Sequence, residues 1–219
     1  MTDNGRCCVN TEGMGGMTLE NFTSLLGSSA PAPGGGSAAG LCGSLGAALC
    51  AMVSNLTIGR KKYAEYEAFA IEVAGKAEAL RKQFLDAIDT DTATFTRFSA
   101  AMALPKETEE QKALRMEAMQ TALYACTDSP LAVMRLCDEA MALTESIIGR
   151  SNLSAASDIG VSALCLKAAV KSAWLNVLIN LSSMKDAEKR EVYRAEGEKL
   201  LASVCARADS CYERIVASL

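Results

Sequence analysis

The chain has 219 residues and a net charge of −4, so it is long enough for one sizeable hydrophobic core and lacks the basic character of a nucleic-acid-binding protein. It contains no histidine, which excludes Ser-His-Asp and Cys-His catalysis and the common histidine metal sites. Half of the residues are hydrophobic but only 5% are aromatic, which favours helices that pack closely through small side chains.

The nine cysteines include no C-x-x-C pair, so the sequence predicts reduced, mostly buried thiols in a cytoplasmic protein, with neither a disulfide framework nor a metal site. Residues 1–17 are rich in glycine and have no apolar period. We expect a disordered or leader segment there, without the features of a signal peptide. A single helical domain is expected over residues 18–219.

The first predicted helix is short and amphipathic, with Thr18 as its cap. The segment Pro-Ala-Pro-Gly-Gly-Gly-Ser that follows predicts a loop running into a second helix capped by Ser37. Free N–H groups at such a helix start can bind a carboxylate or phosphate, although a flexible connector would have the same composition. The candidate binding residues here are Pro33, Gly34, Gly35, Gly36 and Ser37.

The second helix is built mainly from small residues. Gly36, Gly40, Ser44 and Ala48 repeat every four positions and form a ridge that lets another backbone approach closely. A membrane span is the competing explanation, because the apolar run approaches about 20 residues. The helix is too rich in glycine and serine, and too poor in large apolar side chains, for that explanation, and we expect no membrane contact.

A basic cluster, formed by Arg60, Lys61 and Lys62, follows where this helix ends. The cluster can neutralise the negative end of the helix dipole, or it can bind an anionic part of a ligand. The sequence supports these two roles equally.

Residues 66–104 predict one or two long helices with a continuous apolar seam. The seam includes Phe84 and Ile88 before a seven-residue gap and Phe95 after it, and the missing member in the gap is Asp91. A carboxylate on an apolar stripe must be paired, hydrogen-bonded or protonated, which perturbs its pKa. Asp91 is therefore either a buried structural acceptor or an acid–base catalyst.

Four further elements complete the prediction. Leu104-Pro-Lys106 ends the long helix, a new helix covers residues 107–126, and Thr-Asp-Ser-Pro at residues 127–130 stops and restarts the chain before a helix over residues 131–148. Residues 154–181 are apolar nearly all round and predict a central helix, in which Asp158, Asn176 and Asn180 are notable polar residues. Residues 186–218 predict a charged outer helix.

Six motifs occur in a fixed order along the chain: the Pro-Ala-Pro-Gly-Gly-Gly-Ser loop, Met-Val-Ser-Asn-Leu-Thr at 52–57, Asp-Thr-Asp-x-x-x-Phe at 89–95, Leu-Pro-Lys at 104–106, Ser-Asp at 157–158 and Asn-x-x-x-Asn-Leu at 176–181. With these motifs the chain resembles the formiminotransferase-cyclodeaminase and methenyltetrahydrofolate cyclohydrolase family. The resemblance implies an all-α, up-and-down bundle of long antiparallel helices that forms a homodimer through its helices in the cytoplasm. One departure from the expected pattern is Ser151, where we expect glycine before Asn152.

The resemblance also implies a folate-dependent reaction. This would be ring closure of formimidoyltetrahydrofolate with release of ammonia, or hydrolysis of methenyltetrahydrofolate, with a tetrahydrofolate derivative as substrate and no permanently bound cofactor. The family's acidic active-site residue would fall on Asp91. The chemistry of the reaction, rather than the resemblance, makes Lys106 or Asn176 the candidate that positions the proton. Asp158 and Asn180 complete the candidate binding set, and the basic cluster would bind the glutamate tail. The alternative is a non-catalytic helical module that binds folate or a protein partner.

Overall fold

The computed structural model describes residues 13–219. These residues form a helical bundle with no β-strand, which confirms the predicted fold class. The α-helices are α1 (Leu19–Leu26), α2 (Gly35–Asn55), α3 (Glu67–Met102), α4 (Glu109–Ser146), α5 (Ala156–Ser183) and α6 (Ala187–Val216), and short 3₁₀ helices cover Met14–Gly16, Lys61–Tyr66 and Leu153–Ala155.

Helix α2 lies between α3 and α5, and its glycines allow both neighbours to approach closely. A Cβ atom at Gly40 would lie 2.9 Å from Ile88 Cγ1, and one at Gly43 would lie 2.3 Å from the ring of Phe84. On the α5 side, a Cβ atom at Gly46 would lie 2.7 Å from Leu166 Cγ. The predicted close packing through small residues is confirmed, and it fixes the start of α2 against α3.

The core is centred on α5, which contacts α2, α4 and α6. The side chains of Leu166 and Val170 on α5 and Met134 on α4 have no exposed surface. A buried polar link joins three helices, because the Ser162 hydroxyl donates to the carbonyl oxygen of Gly46 at 2.8 Å and lies 3.0 Å from the hydroxyl of Thr144. Buried hydroxyls are tolerated when they are hydrogen-bonded in this way.

Two helices, α2 and the segment that includes α5, are long and apolar enough to span a membrane by length and composition alone. In α2, 61% of the most apolar window is buried inside the bundle, and in the second segment 50% is buried. This degree of burial is also typical of core helices, whose apolar surface faces other helices rather than lipid.

Helix α4 is continuous, so the predicted break at residues 127–130 is wrong. Pro130 lies inside the helix. A proline there lacks an N–H group for the carbonyl four residues earlier, which belongs to Cys126. The side-chain amide of Asn180 on α5 donates to that carbonyl oxygen at 2.7 Å instead. A partner 54 residues away therefore satisfies the group that the proline leaves free, and the helix continues.

Two further findings concern the ends of the chain and its thiols. The prediction of a disordered or leader segment falls mostly on residues 1–12, outside the described residues, whereas the backbone N–H of Met14 donates to Asp89 Oδ1 on α3 at 2.5 Å. The seven described cysteines are free thiols; Cys50, Cys137 and Cys211 are buried, and the others are half-buried. Cys7 and Cys8 lie outside the described residues.

Candidate functional site

A cavity of about 210 Å³ lies at the N-terminal end of α2, where the preceding loop meets α3, α4 and α5. It combines backbone groups of the glycine loop with one carboxylate, two amides, one thiol and one aromatic ring. Its lining residues are Pro31, Ala32, Gly34, Gly35, Gly36, Asp91, Thr92, Thr94, Phe95, Cys126, Asn176 and Asn180. The cavity therefore brings together several residues that the sequence marks as candidates.

The Asp91 carboxylate lies against the first turn of α2. The hydroxyl of Ser37 donates to Asp91 Oδ2 at 3.1 Å, and a Cβ atom at Gly36 would lie 2.3 Å from Asp91 Oδ1. Only a glycine at position 36 allows this approach without displacement. The prediction that Ser37 caps α2 is wrong. The helix begins at Gly35 with Gly34 as its N-cap, and the Ser37 side chain donates to Asp91 instead.

Burial raises the pKa of Asp91 above its ordinary value of 3.8, while hydrogen bonds from the side chain and the backbone N–H of Ser37 oppose the increase. The residues that precede Asp91 on the apolar seam, Phe84 and Ile88, are buried. Phe95, which follows it, is 39% exposed and lines the cavity. The seam thus leaves the core at Asp91, which places a carboxylate between the apolar interior and the cavity.

The two asparagines of α5 occupy the opposite wall. Asn176 Nδ2 donates to the carbonyl oxygen of Ser172 in its own helix at 2.8 Å, and Asn180 Nδ2 donates to that of Cys126 at 2.7 Å. Each amide uses one of its two N–H donors within the protein, and its carbonyl oxygen is free to accept a hydrogen bond from a ligand. A Cβ atom at Gly35 would lie 3.4 Å from Asn176 Nδ2, so the glycine loop is close to this wall as well.

Sequence reasoning missed the contributions of Thr94, Phe95 and Cys126 to the site. The thiol of Cys126 donates to the carbonyl oxygen of Thr94 at 3.3 Å. Burial raises the pKa of this thiol, and the nearby charge of Asp91 contributes in the same direction. The available signal was position, because Thr94 and Phe95 lie one turn from Asp91 on α3. No comparable signal indicated Cys126, whose role depends on how α4 packs.

The structure does not bring the remaining candidates to this cavity. Pro33 is a buried residue of the loop, and Lys106 is exposed in the α3–α4 connection. Asp158 lies in the first turn of α5, about 27 Å along the helix axis from Asn176 at 1.5 Å per residue. The basic cluster follows the opposite end of α2. The roles assigned to these residues stay predictions.

The basic cluster has its own environment. Arg60, Lys61 and Lys62 line an open surface cavity of about 540 Å³ together with Tyr63, Asn152 and Ser154. Asn152 fixes this region, since its side-chain amide donates to the carbonyl oxygen of Leu56 at 3.1 Å and its backbone N–H donates to the Thr57 hydroxyl at 2.9 Å. Ser151, at the position where glycine was expected, is buried and donates to the carbonyl oxygen of Ile147 at 2.9 Å.

Among residues 13–219, no group of three or more Cys, Asp or Glu side chains is placed to hold a metal ion. The carboxyl group of Asp91 can transfer a proton to or from a ligand in the cavity. The cavity can also hold a flat polar ligand between the amides of α5 and the free N–H groups at the start of α2.

Comparisons with known proteins agree with one another. The family model described as formiminotransferase-cyclodeaminase matches residues 18–199. A methenyltetrahydrofolate cyclohydrolase of Methylorubrum extorquens is 43% identical over 201 residues, covering 92% of this chain and 97% of that protein. The formimidoyltransferase-cyclodeaminase of Rattus norvegicus is 32% identical over 84% of this chain, which spans only 34% of the rat protein.

A solved structure has the same fold. The crystal structure of a formiminotetrahydrofolate cyclodeaminase from Thermotoga maritima matches with a TM-score of 0.76 and 26% sequence identity. The match covers 93% of this chain and 96% of the Thermotoga chain.

Proposed function

Because this chain belongs to the formiminotransferase-cyclodeaminase family, we propose that it is a folate-dependent one-carbon enzyme, and specifically a methenyltetrahydrofolate cyclohydrolase. The choice of hydrolysis rests on the Methylorubrum cyclohydrolase, which is 43% identical over nearly its whole length. The observation that carries the mechanism is Asp91, a half-buried carboxyl group of raised pKa that lines a cavity.

In this mechanism, Asp91 acts first as a general base. Its carboxylate accepts a proton from a water molecule as the water oxygen attacks the methenyl carbon, which lies between N5 and N10 of the folate. The product of this step is a neutral tetrahedral carbon that carries a hydroxyl group. The raised pKa of Asp91 makes its carboxylate a stronger base than an ordinary aspartate.

Ring opening completes the reaction. The bond between the tetrahedral carbon and N5 breaks, the hydroxyl group loses its proton to become the formyl oxygen, and N5 gains a proton. Asp91 transfers protons between these two positions and releases one proton to solvent, which balances the positive charge of the methenyl substrate. These steps use only the carboxyl group of Asp91, water and the substrate, so no resident cofactor is required.

Binding of the folate would use the polar groups that surround Asp91. A pterin ring has several N–H donors, which the amide oxygens of Asn176 and Asn180 can accept. The N–H groups of Gly35 and Gly36 at the start of α2 favour partial negative charge, such as that on the pterin carbonyl oxygen. Phe95 would provide an apolar face for the ring.

A second candidate reaction is the ring closure of formimidoyltetrahydrofolate. It is favoured by the fold shared with the Thermotoga cyclodeaminase over 93% of this chain. In this reaction N10 attacks the formimidoyl carbon and ammonia leaves. The protonated form of Asp91, which its raised pKa favours, would donate a proton to the departing nitrogen.

We also propose a homodimer that forms through α2 and α5, in the cytoplasm. On α5 the outward residues Val161, Leu164, Leu175 and Ile179 are each at least 45% exposed, and α2, which contacts α5, exposes two large apolar side chains, Leu45 and Met52. Apolar patches of this kind are typical of subunit interfaces. The seven free thiols are consistent with a reducing compartment.

A dimer would also explain the position of the basic cluster. The cluster and the cavity at Asp91 lie at opposite ends of α2, which is about 31 Å long at 1.5 Å per residue. If α2 pairs antiparallel with its copy, the partner's basic cluster lies near the glycine loop of the first protomer. From there it could bind the glutamate tail of the substrate.

Two assays on the purified protein test the proposed function. If the protein is a cyclohydrolase, it should accelerate loss of the methenyl chromophore. If it is a cyclodeaminase, it should release ammonia from formimidoyltetrahydrofolate. In either case Asp91→Asn should lower kcat about 10²- to 10⁴-fold, the usual contribution of a general acid–base group. If the wild-type protein binds folate but catalyses neither reaction, the non-catalytic module is correct.

A further inference from the structure

Pro130 lies one helical turn after Cys126, a residue of the cavity wall, and the proposed mechanism does not use it. It lies in the interior of α4, where a proline is strongly disfavoured relative to alanine. A proline ring at this position crowds the carbonyl group four residues earlier, which belongs to Cys126. Because the side chain of Cys126 lines the cavity, this carbonyl group lies where α4 reaches the site.

The Cys126 carbonyl oxygen receives a donor from another helix. Asn180 Nδ2 on α5 donates to it at 2.7 Å. This bond fixes which end of the Asn180 amide points at α4. Within the described part of the chain, Asn180 Oδ1 makes no hydrogen bond, and Asn180 lines the cavity, so Oδ1 is an acceptor free for a ligand.

We propose that Pro130 is a positioning residue for substrate recognition. By removing the N–H group that would bind the Cys126 carbonyl oxygen, it reserves that oxygen for Asn180 Nδ2 and thereby presents Asn180 Oδ1 to the cavity as an acceptor. Oδ1 then accepts a hydrogen bond from an N–H group of the pterin ring, an assignment that rests on the proposed function. Alanine at position 130 would supply the missing N–H, compete with Asn180 and free the amide to rotate.

A merely structural proline makes a different prediction. Replacing it with alanine would then change the stability of α4 and leave substrate binding alone. The positioning role predicts instead that the helix is at least as stable and that substrate binding is weaker. These two outcomes separate the explanations.

The test compares Pro130→Ala with Ser129→Ala. Ser129 is the neighbouring residue, its buried hydroxyl has no hydrogen-bond partner within residues 13–219, and it does not line the cavity. We expect Pro130→Ala to keep or raise the melting temperature and to raise KM for the folate substrate about 3- to 10-fold, the worth of one neutral hydrogen bond, with a smaller change in kcat. Ser129→Ala should leave both kinetic constants unchanged.

A double-mutant cycle with Asn180→Ala completes the test. In that background Pro130→Ala should have no further effect on KM, because the amide that the proline orients is gone. An unchanged KM in the Pro130→Ala single variant, or an equal increase in KM with and without Asn180, would overturn the proposal. If Pro130→Ala folds poorly, Pro130→Ser restores the same N–H group and is judged by the same criteria.

A readout that does not depend on turnover separates this proposal from the proposed function. The side-chain amide protons of Asn180 should exchange slowly in the wild-type protein and faster in Pro130→Ala, as measured by nuclear magnetic resonance. A wild-type protein without either reaction would refute the proposed function while this measurement still tests the orientation of the amide. Equal exchange rates in the two proteins would refute the positioning role of Pro130.

Discussion

The close approach of Asp91 to the start of α2 makes Gly36→Ala a sharp test of the proposed site. The new Cβ atom would lie 2.3 Å from Asp91 Oδ1, 2.6 Å from Cγ and 2.7 Å from Oδ2, whereas ordinary contacts begin at 3.4 Å. The carboxylate must therefore move by about 1 Å. A displacement of that size can cost as much as 10²-fold in rate when the group acts directly on the substrate.

The same substitution should have little effect on folding. Moving the Asp91 side chain away from its preferred rotamer costs about 0.5–1.5 kcal/mol, and replacing glycine with alanine in a helix regains up to about 1 kcal/mol. We therefore expect kcat/KM to fall about 100-fold while the free energy of unfolding in urea changes by less than about 1 kcal/mol. The loss of activity would then come from the position of the carboxylate.

Two other glycines serve as controls. Gly75→Ala places a Cβ atom with no neighbour within 4 Å and should keep full activity. Gly40→Ala places one 2.9 Å from Ile88 Cγ1, one turn from the site, and should lower stability more than it lowers kcat/KM. Wild-type kcat/KM in Gly36→Ala would refute the reasoning, because the carboxylate could then move without consequence for catalysis.

Three further predictions follow from the site and the surface. Ser37→Ala removes a hydrogen bond that lowers the pKa of Asp91, so the acid limb of the pH–rate profile should move to higher pH. If the acid limb does not move, the ionisation that it reports is not that of Asp91. Since the pKa of Asp91 is raised in the folded protein, its stabilising effect is present below pH 3.8 and is lost as the pH rises through the folded value. Asp91→Asn should accordingly become more stable relative to the wild type over that rise, as measured by urea unfolding, and a constant difference would contradict the burial argument. Charges on the exposed face of α5, as in Leu175→Lys with Ile179→Lys, should give a monomer in sedimentation measurements, whereas an unchanged mass would exclude this face as the interface.

The helical architecture could be derived from sequence because periodicity, small residues and capping signals are local. The apolar seam of α3 identified Asp91, since a carboxylate at a core position is visible from spacing alone. The two asparagines of α5 were found in the same way, as amides in an otherwise apolar helix. Each of these inferences needed only the residues within a few helical turns.

The errors arose where a distant partner decided the local structure. The Thr-Asp-Ser-Pro segment has the composition of a helix break. However, Asn180 donates a hydrogen bond to the Cys126 carbonyl oxygen that Pro130 leaves free, and α4 continues. Serine is a common N-cap residue, but the hydroxyl of Ser37 donates its hydrogen bond to Asp91. Contacts of this kind depend on how helices pack, which the local pattern does not specify.

The crowding around α2 has a consequence for how this protein can vary. On the sides of α2 that face α3 and α5, a single added methyl group would contact a ring, a branched side chain or a carboxylate. The outward positions, such as Leu45 and Met52, hold large side chains that are exposed. In a saturation mutagenesis experiment, tolerance along α2 would therefore alternate with helical period between positions that accept no extra volume and positions that accept almost any. New substrate preferences would then have to arise from α3, α4 and α5, with α2 as the invariant reference.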